Sequence, residues 1–252
     1  MAEVVFELCG LQLALNENEE ISLVQFNKLE EFAARRIKGE PIARIIGEKE
    51  FYSLNFKLNE ATLVPRPETE ILVDLAIEHI RDIEQPKILD LGTGTGCIVI
   101  SILANAKTAT AIGVDLSEWA IFQAQENALN NGVENRLQFL SGSWFDPIKK
   151  QQFDLIISNP PYIKTDDILC LQKEVRSFDP LLALDGGKDG LTPYTLIAKG
   201  ADEYLKPNGA VMVEFGQGQE KDIKAVFLAA GYNNVRIFDD LAGINRVIVA
   251  KK

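Results

Sequence analysis

Lys87-Ile88-Leu89-Asp90-Leu91-Gly92-Thr93-Gly94-Thr95-Gly96-Cys97 is the stretch whose reading decides the fold. Lys87 to Leu91 reads as a short buried strand, the alternate glycines as a tight turn, and Ile98 to Leu103 as the helix that follows. In an open parallel sheet, ligands bind beyond the carboxyl end of such a strand. A dinucleotide fingerprint needs its third glycine three positions after the second, where this chain has Cys97; the glycine falls at position 96 instead. No Gly-Lys-Ser/Thr follows, so a P-loop is excluded as well.

Working outward, apolar runs at Ala109 to Val114, Arg136 to Leu140, Phe153 to Ile157 and Ala210 to Phe215 alternate with helix-like segments. That alternation predicts an α/β fold, a parallel sheet covered by helices on both faces. Two late runs, Asn234 to Phe238 and Arg246 to Ala250, are joined through a short turn at Asp239, Asp240 and Gly243, which permits an antiparallel final pair. Towards the amino terminus, Ser22 and Gln25 form a capping-box pattern. It precedes Leu23, Phe26, Leu29, Ala33 and Ile37 at helical spacing, and Gly39 and Pro41 end the helix. Residues 45 to 64 predict a short hairpin or extended linker. The chain therefore divides into a helical lobe over 1–44, a hairpin linker over 45–64 and a main α/β domain over 65–252. Pro67 opens a further helix containing Ile71, Leu72, Leu75, Ala76 and Ile80, with His79 on its apolar edge as a satisfied core-edge residue rather than a base.

The 252 residues are 46% hydrophobic and 25% charged, the balance of a soluble globular chain, and carry 26 Lys and Arg against 37 Asp and Glu. The net of −11 opposes the phosphate neutralisation behind most nucleic-acid affinity. Residues 1–85 hold 9 basic and 17 acidic side chains, a solvated face or a landing surface for a basic protein partner. No apolar run is long enough to span a bilayer, and the acidic start lacks a secretory signal's basic region, which predicts a cytoplasmic protein. Cys9, Cys97 and Cys170 are far apart and show no C-x-x-C spacing, so buried thiols are expected rather than disulfides or a metal centre.

Two acids and one loop carry the chemistry. Asp90 ends the first strand, where its carboxylate can face a ligand's cationic end. Asp115 ends the second, at a distance from the glycine turn typical of a residue that accepts hydrogen bonds from ribose hydroxyls. The pair describes a nucleoside site. After the strand Phe153 to Ile157 comes Ser158-Asn159-Pro160-Pro161-Tyr162. Two consecutive prolines donate no backbone hydrogen bond, so carbonyl oxygens, the Asn159 amide and the Tyr162 ring cluster at the sheet's ligand edge as a slot for an NH2 group.

Asp90 to Gly96 together with Asn159-Pro160-Pro161-Tyr162 resembles S-adenosylmethionine-dependent methyltransferases that act on a planar amide or amine nitrogen. Val64 to Glu70, Ser143-Trp144-Phe145 and Ala183 to Leu191 narrow the resemblance to the protein-glutamine methyltransferases of class I peptide chain release factors, over about Phe26 to Ala250. The resemblance implies a class I, Rossmann-like methyltransferase fold with seven strands in the order 3-2-1-4-5-7-6. It implies that Asp90, Gly92, Thr93, Gly94, Thr95, Gly96, Asp115, Trp144 and Asn159 bind the cofactor, and that Trp144 borders the adenine. Asn159, Pro160, Pro161, Tyr162 and Arg66 would bind the substrate, with Asn159, Pro160 and Tyr162 catalytic. Ser143 stands where relatives often carry Asp before the Trp. The partner implied is a class I release factor, with neither DNA nor membrane, and the chain is expected to act as a monomer.

A primary amide nitrogen is a poor nucleophile because its lone pair is delocalised into the carbonyl, so such a site must orient it. Asn159 Oδ1 and the Pro160 carbonyl can accept its two N–H bonds, with Tyr162 walling the plane. An adenine-amino DNA methyltransferase would share this slot but needs a basic groove, which the charge opposes. A non-catalytic adaptor on the same fold would have no use for an intact Asn159 to Tyr162.

Overall fold

The computed structural model describes residues 1–6, 8, 10–15 and 20–252. Cys9 lies outside the described residues.

Helices α1 (Ala2–Phe6), α2 (Gly10–Leu15), α3 (Leu23–Ile37) and α4 (Ile42–Ile46) form the amino-terminal part. The Ser22 hydroxyl accepts from Gln25 N and the Gln25 side chain accepts from Ser22 N, so the capping box read from the sequence starts α3. Val5, Phe32 and Ile45 make a small core of their own. The hairpin alternative holds for the next segment: β1 (Glu48–Phe51) pairs antiparallel with β2 (Leu54–Lys57). Its two turn residues, Tyr52 and Ser53, have φ of 51° and 60°, a left-handed turn made without glycine. The Glu70 carboxylate accepts from Tyr52 N and Glu50 from Ser53 N, which ties the turn down. Asn127 fastens the hairpin to the rest of the chain, accepting from Lys57 N while its amide donates to the carbonyls of Lys57 and Thr95.

The seven-stranded sheet is built from β3 (Lys87–Leu91), β4 (Thr110–Asp115), β5 (Leu137–Ser141), β6 (Phe153–Ser158), β7 (Leu205–Glu214), β8 (Asn234–Asp239) and β9 (Asn245–Lys251) in the order β5-β4-β3-β6-β7-β9-β8. Counted within the sheet, this is 3-2-1-4-5-7-6. The first five strands run parallel, and β9 pairs antiparallel with both β7 and β8. Helices α5 (Glu70–Ile80), α6 (Cys97–Asn105) and α7 (Glu118–Asn130) pack on one face; α9 (Thr192–Gly200) and α10 (Glu220–Ala229) cover the other, and α8 (Lys173–Phe178) belongs to the long connection after β6. Each face carries its own core, Leu72, Val99, Ile102 and Leu155 on one side and Leu89, Ile156, Tyr194 and Phe227 on the other. Strands buried on both faces are continuous apolar runs, which is why they stand out in the sequence.

His79 is a structural residue, its Nε2 3.3 Å from the Asp154 carbonyl oxygen and its Nδ1 3.2 Å from Lys251 Nζ. The expectation of buried thiols holds for Cys97 and fails for Cys170, which is exposed because its turn, Thr165–Cys170, buries only Ile168. Among the described residues no helix is long and apolar enough to cross a membrane.

Candidate active site

The site is built where the strand order reverses, between β3 and β6, the crevice in which open α/β sheets take their ligands. The turn after β3 is drawn over the end of β4: Gly92 N and Thr93 N both donate to the Val114 carbonyl, at 2.8 and 2.9 Å. Gly94 N donates to Asp115 Oδ2 at 2.8 Å, and Ser117 N to Asp115 Oδ1 at 2.9 Å. The Asp115 carboxylate is thus oriented by backbone on both oxygens while it lines a cavity of about 390 Å³. That size falls within the range of small-molecule sites.

The cavity has three further walls. Ala61, Leu63, Pro65, Arg66 and Thr69 come from the segment between β2 and α5; Gly142, Ser143 and Trp144 follow β5; Leu182, Ala183 and Asp185 to Gly187 close it from the connection after β6. Of the residues singled out in the sequence, Gly92, Thr93, Gly94, Thr95, Asp115, Trp144, Asn159, Pro161 and Arg66 line this cavity. Trp144 is held there with a φ of 45°. Asp90, Gly96, Pro160 and Tyr162 do not line it, although Asn159 and Pro161 on either side of Pro160 do. The Asp90 carboxyl is fully buried, with Thr93 Oγ1 donating to Oδ2 at 2.6 Å and Oδ1 lacking a partner among the described residues. Burial pushes it up to about 7, helped by the neighbouring Asp115 and opposed by the Thr93 hydroxyl. Burial also raises Asp115 above the usual carboxylate range, against the backbone N–H groups that stabilise its charge.

Asn159 follows β6 directly, and its Nδ2 donates to Thr69 Oγ1 at 3.3 Å. The loop it begins is clamped from outside. Gln219 Nε2 donates to the Tyr162 carbonyl and Gly216 N donates to Gln219 Oε1, both at 3.0 Å. Gly190, with φ at 75°, passes so close that a Cβ there would stand 2.5 Å from Tyr162 O, so this backbone crossing admits only glycine. Packed in this way, the Tyr162 ring faces the protein core rather than the cavity, and burial pushes its hydroxyl up to about 12. Pro161, not Tyr162, lines the cavity beside Asn159.

Three contributors were not singled out in the sequence. Thr69 lines the cavity and touches Asn159. Asp179 accepts from Arg66 Nη2 at 2.8 Å and from Arg44 Nη2 at 3.0 Å, so the Arg66 charge is already engaged beside the cavity. Glu214, the last residue of β7, is buried next to Asn159 and Thr69. An acid closing an otherwise apolar run was a signal open to sequence reading, since Asp115 closes β4 in the same way.

Three observations test the fit of S-adenosylmethionine to these residues. The space beside the Gly92 and Gly94 α-carbons is open, a carboxylate stands ready on the wall at Asp115, and Asp90 holds an unpartnered buried oxygen beneath the turn. All suit a nucleoside with a cationic end.

Comparison with known proteins agrees. Residues 68–175 match the family model described as Methyltransferase small domain, and residues 2–47 the PrmC N-terminal domain. The second match begins well before Phe26, so the likeness reaches further into the amino-terminal helices than the motifs alone indicate. The chain is 42% identical to the release factor glutamine methyltransferase of Thermodesulfovibrio yellowstonii over 250 residues, covering 98% of this chain and 89% of that one. It is 43% identical to the release factor glutamine methyltransferase of Agrobacterium fabrum over 222 residues, covering 86% and 76%. A methyltransferase of Pyrococcus furiosus, 17% identical, superposes with a TM-score of 0.58 over 86% of this chain and 96% of that one, a likeness of fold.

Proposed function

Because the chain belongs to the release factor glutamine methyltransferases, we propose that it methylates the side-chain amide nitrogen of the glutamine in the Gly-Gly-Gln motif of class I peptide chain release factors. S-adenosylmethionine, when bound, supplies an electrophilic methyl group on a sulfonium. Asp115 would hold the ribose hydroxyls, Trp144 would border the adenine, and the Gly92 to Gly96 turn with Asp90 beneath it would hold the amino-acid end.

The observation that carries this reading is the position of Asn159, on the cavity wall beside the glycine turn and braced by Thr69. Asn159 Oδ1 and the Pro160 carbonyl accept the two N–H bonds of the glutamine amide, which turns its lone pair into the cavity. Pro161 excludes water from one side of the amide plane. The nitrogen would gain the methyl group as the sulfonium's methyl–sulfur bond breaks, leaving S-adenosylhomocysteine as product, and give up one proton to water. No side-chain base is required, because orientation supplies the rate.

The proposal extends to the organisation of the chain. Residues 1–44 form a docking lobe, 45–64 a hairpin linker and 65–252 the catalytic domain, acting as a cytoplasmic monomer on a protein rather than on DNA. Asn159→Ala tests the reading, since losing one preorganised polar partner of the reacting group costs about 10² to 10³ in rate. Single-turnover transfer to a release factor should fall by that factor while calorimetry finds cofactor affinity nearly unchanged. Near-normal transfer by the variant would overturn the assignment, and transfer to duplex DNA in preference to release factor would favour the adenine-amino reading.

A further inference from the structure

Asn159 can hold a substrate amide only if its own amide faces the right way. Its Oδ1 and Nδ2 ends are nearly identical in shape, and turning the group by half a revolution would present two N–H donors to the donors of the substrate. Something buried must therefore distinguish the two ends, and the structure contains it. Asn159 Nδ2 meets Thr69 Oγ1 at 3.3 Å. Beyond Thr69 lies Glu214, one position past the Ser158/Val213 pair of the β6–β7 ladder; its ionised form is favoured by its neighbours, Thr69 first and Asn159 more weakly. Both Thr69 and Glu214 are 2% exposed, and Glu214 Oε2 has no partner among the described residues. A buried, half-satisfied carboxyl is costly for stability alone and calls for another explanation.

The polarity of the chain of contacts follows from elementary hydrogen-bond rules. An ionised carboxylate can only accept, so a Thr69 hydroxyl turned to Glu214 must spend its single proton there. Thr69 Oγ1 is then left as an acceptor, and the group it accepts from must be the Nδ2 end of Asn159. Oδ1 is thereby directed to the opposite side. We propose that Glu214, acting through Thr69, is a positioning residue that selects which end of the Asn159 amide faces the substrate. The inference rests on the reading of Asn159 given above and adds to it the element that orients it.

Protonation would undo the selection. A neutral Glu214 can donate to Thr69, whose hydroxyl can then donate to Asn159 Oδ1 and stabilise the reversed amide. Burial pushes Glu214 up to about 7, so this exchange falls in an accessible range. Arg246 on β9 favours the ionised form and Glu68, just ahead of α5, opposes it, while Tyr162, Tyr194 and Cys97 around it are all held neutral by burial.

The test uses the full chain, S-adenosylmethionine and a class I release factor. Glu214→Gln keeps the shape and removes the obligatory acceptor; Thr69→Val removes the relay and Thr69→Ser restores it. Single-turnover rates at pH 8 should fall about tenfold in Glu214→Gln and Thr69→Val, the scale of one charge-assisted hydrogen bond. Thr69→Ser should recover the parent rate, and cofactor affinity should stay within about twofold throughout, because the relay touches the amide and not the cofactor cradle. The parent rate should also decline as pH drops through about 7, an acid limb that Glu214→Gln lacks. Should Glu214→Gln fail to fold, the Thr69→Val and Thr69→Ser pair decides. Parent-like rate and an unchanged acid limb in Glu214→Gln, with Asn159→Ala inactive, would overturn the relay while leaving the proposed function standing. Active Asn159→Ala would overturn both.

Discussion

Asp179→Asn isolates the interaction that ties three parts of the chain together. Asp179, with a side chain 1% exposed, accepts from Arg44 on α4 and from Arg66 ahead of α5; the two arginine side chains are 8% and 41% exposed. Arg44 also donates to the carbonyls of Asn59 and Thr62, while its Nε has no partner among the described residues. Replacing the carboxylate by an amide keeps the volume and leaves the Arg44 charge buried without a counter-ion. Breaking a buried pair in this way costs about 3 to 5 kcal/mol, and the two remaining carbonyl contacts put the expectation at the lower end, about 3 kcal/mol. For a chain of this size that is a fall in Tm of about 6 to 12 °C. Arg66→Ala, by contrast, removes a half-exposed partner screened by solvent and should cost less than about 1 kcal/mol. Urea denaturation of both variants, with Arg44→Met completing a double-mutant cycle, reads the two values and their coupling. If Asp179→Asn unfolds within about 1 kcal/mol of the parent, or Arg66→Ala costs as much, the argument from burial fails.

Other perturbations separate binding from folding. Asp115→Ala should weaken S-adenosylmethionine binding about 10- to 150-fold, the worth of hydrogen bonds to a charged group; a calorimetric change below about threefold would remove Asp115 from the cofactor site. Gly96→Ala places a Cβ 2.7 Å from Ile100 Cδ1 at a φ of 79°. It should destabilise by about 1 to 3 kcal/mol in urea titration, and an unchanged midpoint would contradict the packing. Asp90 gives a pH dependence whose sign is set by its raised pKa, about 7 in the fold against an ordinary 3.8. Between those values the folded protein binds the extra proton, so the ligand-free chain should lose stability as pH rises towards about 7 and level off above it. Asp90→Asn should reduce that slope, and an unchanged slope would mean that the carboxyl is ionised in the fold throughout.

How much of this could be read in the sequence depended on how local the signal was. The strands β3, β4 and β6 are legible because a strand buried on both faces is a continuous apolar run, and capping at Ser22 because its partners are three residues apart. Asp90, Asp115 and Asn159 were legible because each follows or closes such a run and so must lie on the ligand edge. The hairpin was harder, since Tyr52 and Ser53 make a left-handed turn with neither glycine nor asparagine, held by carboxylates from Glu50 and Glu70. The direction of the Tyr162 ring was not legible at all. It is decided by Gly190, Gly216 and Gln219, which approach from distant parts of the chain.

The same limit explains why the polar shell behind the site escaped notice. Thr69 stands 90 positions from Asn159, and Asp179 stands 113 and 135 positions from Arg66 and Arg44, so no spacing rule joins them. What does join them is geometry that a parallel sheet imposes. Strands running the same way end on the same edge, so acids at or near the carboxyl ends of β3, β4 and β7 lie along one edge of the sheet although Asp90, Asp115 and Glu214 are far apart in sequence. Asp90 and Glu214, each buried, are both pushed up to about 7, and a ligand whose positive charge lay beside the glycine turn would lower Asp90. A strand-terminal acid in an open parallel sheet is thus better read with the other strand ends than alone, because the topology makes neighbours of residues whose separation in sequence hides the relation.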